Sequence, residues 1–402
     1  MLDFDTAQTR LSQAGQCRQA VHPCALHDAL GRVLAQDVVA TYNLPPADNS
    51  AMDGYALRRA DWQTGQALPV QAHSYAGQMP PALLPGHAIR LFTGSVLPAG
   101  ADTVVMQENC SEADNAVIIH TPPALGENVR KQGQDMCAGH VILTRGTRIT
   151  PAHVACLAAQ GLAQVPVFAP LRVGILTNGD ELLNPGQPLG AAQTYNSNGH
   201  TLAALCAQLG VEVAHQIHCQ DQPEALTKAL ATLKADCDLV LTVGGVSVGD
   251  KDFVRPALEA AGARLDLWKV RMKPGKPVAL SRLDETVVVC LPGNPVSSYA
   301  VFTLLVTPLI RRLQGRCDVL PANQTGRLDC SDLVYKDSRA EFLRVRANTD
   351  AQGILRLQPY ARQGSDIISS LAYADGLARI PPDTPTGDGE TVRYYAWRDW
   401  LF

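Results

Sequence analysis

Four rhythms of apolar and polar positions run along the chain. Over residues 1–40, apolar residues recur three and four apart around Leu26, Leu30, Val33 and Leu34, a spacing that predicts helix. The segment Asn43–Pro46 breaks it. From about 50 to 150, short β-like runs (Ala88–Phe92, Asp102–Met106, Ala116–Ile119, Val141–Leu143) alternate with turns such as Pro98–Gly100 and Pro122–Pro123. This reads as a β-rich domain with long loops. Pro151–Gly161 reads as a helix, with proline in its first turn and glycine at its end.

Residues 170–315 alternate strands and helices. The strands are Leu171–Thr177, Val211–Ile217, Leu239–Val243 and Thr286–Leu291. The helices are Asn198–Leu209, Pro223–Lys234, Asp252–Ala261 and a long one after Pro295. Such alternation implies a mostly parallel sheet with right-handed crossovers. The unbroken run Val287–Val289 fits a sheet covered on both faces. Residues 318–402 turn β-like again at Leu343–Arg346, Leu355–Leu357 and Val392–Tyr395, as in a small antiparallel or barrel-like domain. No fixed-period repeat is visible.

Length and charge narrow the possibilities. A chain of 402 residues implies several domains. A net charge of −4 argues against broad nucleic-acid binding, yet leaves room for a small basic pocket. Met1–Leu11 carries Asp3 and Asp5 and does not read as a signal peptide. The most apolar run, Tyr299–Ile310, reads as too short to span a bilayer. A cytoplasmic protein is expected, with no membrane or nucleic-acid partner. The 11 cysteines are scattered without paired spacing and read as reduced thiols, mostly buried.

Three loops follow strands and share a composition: Thr177–Glu181, Gly244–Asp252 and Pro292–Ser297. In an open parallel sheet such loops gather beyond the carboxyl ends of the strands, where ligands bind. Glycines let backbone N–H groups approach an anion, and a following helix N-terminus favours it. Ser247 and Ser297 can donate hydrogen bonds to an oxyanion. Glu181, Asp250 and Asp252 add carboxylates, which beside phosphate imply a bridging Mg²⁺. The plainer alternative is that these are tight sheet-to-helix turns with Asp or Ser capping a helix. Three such loops at one edge favour a nucleotide-like site. Lys273–Pro277 places Lys273 and Lys276 on either side of a Pro-Gly turn, able to converge on one dianion or to lie on a solvated surface. Asp48–Ala56 surrounds Asp53 with small and polar residues and reads as a loop, either functional or an Asx turn capping a helix.

These segments resemble the molybdopterin molybdenumtransferase family, MoeA in bacteria and the E domain of gephyrin-type proteins. The resemblance covers nearly the whole chain, in order: Asp48–Ala56, Phe92–Gly94 with Pro98–Asp102, Gln107–Glu108, Asn128–Arg130 with Gly133–Asp135, Gly179–Leu182, Tyr195–Asn198, Gly244–Gly249, Lys273–Pro277, Leu291–Ser297, Arg339–Phe342 and Gln363–Ser365. It implies an α/β multidomain fold. The parts are a discontinuous linking domain (1–27 and 140–168), an inserted β-rich domain (28–139), a molybdopterin-binding α/β sandwich domain (169–317) and a C-terminal β-barrel-like domain (318–402). It also implies a homodimer, with a molybdopterin adenylyltransferase as a partner enzyme.

The implied reaction transfers molybdenum from molybdate to the dithiolene of adenylylated molybdopterin, releasing AMP, with Mg²⁺ as cofactor. The resemblance assigns the phosphate or nucleotide region to Gly244, Gly245, Ser247, Asp250, Asp252, Pro292, Gly293 and Asn294. Molybdate falls to Lys273, Lys276, Ser297, Arg339 and Ser365. Glu181, Asp221 and Asp252 take the metal, while Asp53 of the partner subunit and Thr93 complete the catalytic set. Two residues depart from the family's pattern: Val243 stands where Ser or Thr is usual, and Asn178 where Thr is common. Adenylylation of molybdopterin on the same sheet scaffold, or non-catalytic scaffolding by dimerisation, are the competing readings.

Overall fold

Strand Thr286–Leu291 shows how the central layer is built. Val287, Val289 and Leu291 face one hydrophobic cluster, while Val288 and Cys290 face another. Leu239, Leu241 and Val243 alternate with Val240 in the same way. A strand wet on neither side needs no alternation of apolar and polar positions, which is why its two faces cannot be told apart in the sequence. The computed structural model describes residues 1–244 and 253–401.

The central sheet has six strands in the order Glu212–Cys219, Arg172–Asn178, Leu239–Val243, Thr286–Leu291, Ala279–Leu283, Arg264–Trp268. The first four are mutually parallel, Ala279–Leu283 runs against them, and Arg264–Trp268, antiparallel to Ala279–Leu283, runs with the first four. Helix Ser197–Gln208 packs on one face; Pro223–Asp236 and Val254–Ala260 pack on the other. Thr177 pairs with Val243 and Val243 with Leu291, so these three strands end level with one another. The loops that follow them therefore share one edge.

Pro295–Leu313 is one helical run of 19 residues, with a π segment at Phe302–Val306 ahead of Pro308. Proline cannot donate to the turn before it, and the wider π turn absorbs the break. By length and composition this run is long enough to cross a bilayer, which corrects the shorter reading from Tyr299–Ile310, but 89% of its most apolar 18-residue window is buried inside the protein. It forms the spine of the main core.

The C-terminal strands close into a barrel. Ala340–Thr349 pairs with Leu355–Pro359 on one side and Gly376–Ile380 on the other, and Gln324–Leu328 and Thr391–Ala396 complete the ring. The two-residue strand Met272–Lys273 crosses from the sheet domain and pairs parallel with Ala340–Glu341. Phe342, Leu377 and Tyr395 of the barrel share one buried cluster with Phe4, Ala7 and Leu11 of the first helix. Arg379 adds a bidentate ion pair to Asp5 at 2.7 and 2.8 Å.

The helical reading of residues 1–40 fails beyond the first turns. Helix is confined to Phe4–Ser12, with a 3₁₀ turn at Leu26–Asp28. Val21–Ala25 is a strand paired antiparallel with Gln164–Phe168, and Val38–Val39 pairs with Val141–Leu143. Leu34 and Val38 point into a small core with Ile149, Leu157 and Val165, while Leu30 is exposed. A distant strand competed for these residues and outweighed their local spacing. Between the two halves sits a six-stranded sheet in the order Thr103–Met106, Gly54–Leu57, Ala88–Leu91, Ala67–Ser74, Ala116–Ile119, Cys110–Ala113.

Candidate functional site

A cavity of about 480 Å³ opens beyond the carboxyl ends of the parallel strands. Glu181, Asn196, Asn198, Pro277, Asn294 and Ser297 are among the residues that line it. They arrive on four segments: Glu181, Asn196–Asn198, Pro277 and Asn294–Ser297. Asn196 caps helix Ser197–Gln208 by accepting from the Gly199 N–H at 3.1 Å, and its amide donates to Thr177 Oγ1 at 2.8 Å. Asn198 donates to the Gly293 carbonyl at 2.7 Å, tying the first turn of that helix to the Pro292–Ser297 loop. Pro295 opens the long helix, where its missing N–H costs nothing. Ser297 follows in its first turn, nearly buried.

A fifth segment comes from the barrel. Ser365 Oγ accepts from the Asn294 amide at 2.9 Å, and the Ser365 carbonyl accepts from the Val296 N–H at 3.2 Å. The turn carrying Ser365 is held by Arg344, whose buried guanidinium donates to the Gly364 carbonyl at 3.0 Å and the Ser370 hydroxyl at 3.1 Å. Burial pulls the Arg344 pKa down to about 10, outweighing the opposing pull of Glu341 and Asp366.

The structure sets four of the five residues assigned to molybdate in two pairs and leaves Lys276 by itself. Ser297 and Ser365 meet at the Pro292–Ser297 loop. Lys273 and Arg339 meet at Asp337: Lys273 Nζ lies 3.3 Å from its Oδ2, and Arg339 Nε lies 3.0 Å from its Oδ1. Lys276 is exposed beside Pro277 of the cavity wall. Neither Asp337 nor Glu341, which lies 3.0 Å from Lys273 Nζ, was singled out from the sequence. The spacing Asp337-x-Arg339 was the available signal; the Lys273–Glu341 pairing had none, because it crosses domains. The fork of Arg339 and the ammonium of Lys273 hold the Asp337 carboxyl at about 2. Burial lowers the Lys273 pKa, but Glu341 and Asp337 outweigh it and the net shift is upward.

The carboxylates near the first loop are arranged by hydrogen bonds. The Asn178 amide donates to Asp221 Oδ1 at 2.7 Å, and the Asp221 N–H donates to Asp180 Oδ1 at 3.2 Å. Asn178, the departure from the family's usual Thr, is thus the residue that orients Asp221. Its own Oδ1 is buried with no partner among the described residues, and faces Gly244. Val243 is buried in the sheet core. Oxygen donors of this kind suit Mg²⁺. Among the described residues no three His, Cys, Asp or Glu side chains gather around one point. Gly245, Ser247, Asp250 and Asp252, the remainder of the expected nucleotide and metal set, lie outside the described residues.

Asp53 and Thr93 do come together. Asp53 Oδ1 accepts from both the N–H and the hydroxyl of Thr93, each at 2.8 Å. These bonds hold the Asp53 carboxyl below its usual range. Asp53 precedes strand Gly54–Leu57 and caps no helix, so the second half of Asp48–Ala56 is sheet rather than loop. Gly54 is required there, since a Cβ would fall 2.0 Å from the Val105 carbonyl oxygen.

Comparison with known proteins agrees with this architecture. Three family models match in chain order: the MoeA N-terminal region (domain I and II) over residues 2–161, a probable molybdopterin binding domain over 174–312, and the MoeA C-terminal region (domain IV) over 330–397. A molybdopterin molybdenumtransferase of Haemophilus influenzae is 35% identical over 395 residues, 98% of each chain. The chain belongs to the molybdopterin molybdenumtransferase family. It is accordingly a transferase of molybdenum cofactor biosynthesis. A molybdopterin molybdenumtransferase of Nostoc is 41% identical over 296 residues, covering 71% of this chain and 68% of that one. The crystal structure of the molybdopterin biosynthesis MoeA protein of Pyrococcus horikoshii superposes with a TM-score of 0.84 at 28% identity, over 98% of this chain and all of that one. Like that structure, the chain is multidomain α/β, with a closed barrel at its C-terminal end.

Proposed function

We propose that the chain takes molybdate and adenylylated molybdopterin as substrates, delivers molybdenum to the dithiolene and releases AMP in a Mg²⁺-dependent reaction. The observation that carries this reading is the cavity where Glu181, Asn196–Asn198 and the Pro292–Ser297 loop meet, the last of them bonded to the barrel turn of Ser365. Ser297 and Ser365 offer neutral hydroxyl donors to the oxyanion; Lys276, Lys273 and Arg339 offer charge. The chain's contribution is then positioning and charge stabilisation while oxo groups leave. Asp221, set by Asn178, and Glu181 would hold Mg²⁺ with Asp252. Mg²⁺, when bound, polarises the phosphoanhydride.

Lys276→Ala is expected to weaken molybdate binding about tenfold or more, the worth of one charge-assisted hydrogen bond. Isothermal titration against wild type checks it, and equal affinities remove Lys276 from the site.

Asp53 of the partner subunit is proposed to complete the site in a homodimer. Its hydrogen bonds to Thr93 hold it ionised and fixed on a sheet that no contact described above joins to the cavity of the same chain. Mixing inactive Asp53→Ala and Lys276→Ala chains is expected to restore about a quarter of wild-type activity, the share of composite sites that random pairing leaves intact. No recovery from confirmed mixed dimers defeats the shared site.

A further inference from the structure

We propose that Asp337 is a built-in counter-ion that occupies Lys273 and Arg339 until the oxyanion arrives, and so sets the affinity of the site for molybdate. The proposal rests on the reading of Lys273 and Arg339 as oxyanion ligands.

One carboxylate bridges both cations. Asp337 Oδ1 accepts from the Arg339 N–H and Nε at 3.0 Å each, and Oδ2 accepts from Arg339 Nη2 at 3.1 Å. Oδ2 also lies 3.3 Å from Lys273 Nζ. Two parallel N–H···O bonds to a guanidinium fork are the contacts that two oxygens of a tetrahedral oxyanion would make. Asp337 therefore fills the place that a substrate oxyanion needs.

The charges decide the consequence. Lys273 and Arg339 face Asp337 and Glu341, so the group is formally neutral. A dianion meeting a neutral group gains little unless one carboxylate withdraws. Glu341 is poorly suited to withdraw. It is nearly buried and sits on strand Ala340–Thr349, directly opposite Lys273 in the register. Asp337 lies in the turn before that strand, and the side-chain bonds described above are all to the two cations. Exchange of Asp337 for oxyanion leaves Lys273 and Arg339 already extended and ordered, which limits the entropy lost on binding. It also disfavours bystander anions too weak to displace a carboxylate.

The test is titration of the full-length protein with sodium molybdate alone. Asp337→Asn, which frees the cations without changing shape, is expected to bind about tenfold tighter than wild type. Asp337→Glu, which keeps the charge, is expected to stay within about twofold. In turnover Asp337→Asn should lower the molybdate KM without raising kcat. A purely structural role for Asp337 gives the opposite sign, with weaker binding by the Asn variant. Unchanged or weaker binding by Asp337→Asn, while Lys273→Ala and Arg339→Ala each lose affinity, overturns the counter-ion role and leaves the ligand assignment standing. If neither alanine variant loses affinity, the ligand assignment fails and this proposal fails with it.

Discussion

Phe342→Ala is expected to destabilise the protein by about 3–5 kcal/mol, the usual cost of truncating a fully buried aromatic. Phe342 is completely buried, with its ring 4.7 Å from that of Phe4 and 5.7 Å from that of Tyr395. Tyr395 in turn meets Trp400 edge-on at 5.2 Å. These rings join the first helix to the barrel, in a cluster that continues into Phe302 and Leu305 of the long helix. The cavity left by alanine opens at that seam, where three segments would have to shift together to close it. Phe342 also neighbours Glu341, so a loosened strand would disturb the pairing that sets Lys273. Urea unfolding with a barrel probe measures the effect. Leu333→Ala, at an exposed position, serves as the control and should change stability by less than about 0.5 kcal/mol. A loss under about 1 kcal/mol for Phe342→Ala would show that the aromatic seam does not hold the barrel.

Gly275→Ala should cost about 2–4 kcal/mol and weaken molybdate binding as well. Gly275 has φ +112°, a region that side chains rarely adopt. A Cβ would also stand 2.6 Å from Val301 Cγ2 and 3.3 Å from Met272 Cε. Val301 is fully buried in the long helix and has nowhere to go. The turn must then lift from the helix, carrying Lys276 with it. Gly86→Ala separates the two causes: φ is +70° there, but nothing lies within 4 Å of the added carbon. That variant should lose about 1 kcal/mol through backbone strain alone. If the two variants cost the same, the contact with Val301 contributes nothing.

The site was partly legible in the residues. Ser297 and Asn294 could be placed at a sheet edge because Thr286–Leu291 reads plainly as a strand ended by Pro292 and Gly293. The assignment of Asp53 and Thr93 to the site rested on family resemblance; that the Thr93 hydroxyl donates to Asp53 was visible only in the structure. Asp337 went unnoticed because its importance lies in what faces it. Lys273 read as converging with Lys276 on a dianion or as lying on a solvated surface, whereas the barrel supplies it with two carboxylates.

What the chain's own pattern determined was local. Unbroken apolar runs bounded by turns marked Leu239–Val243 and Thr286–Leu291, and proline and glycine punctuated the helices, because those signals act over one or two turns of backbone. What only the tertiary structure decided was non-local. Val21–Ala25 became a strand by pairing with Gln164–Phe168, Met272–Lys273 was drawn into the barrel, and Ser365 came to rest on Asn294. Each depends on segments far apart in sequence meeting in space. The free energy that selects such pairings belongs to the contact, and neither partner alone displays it.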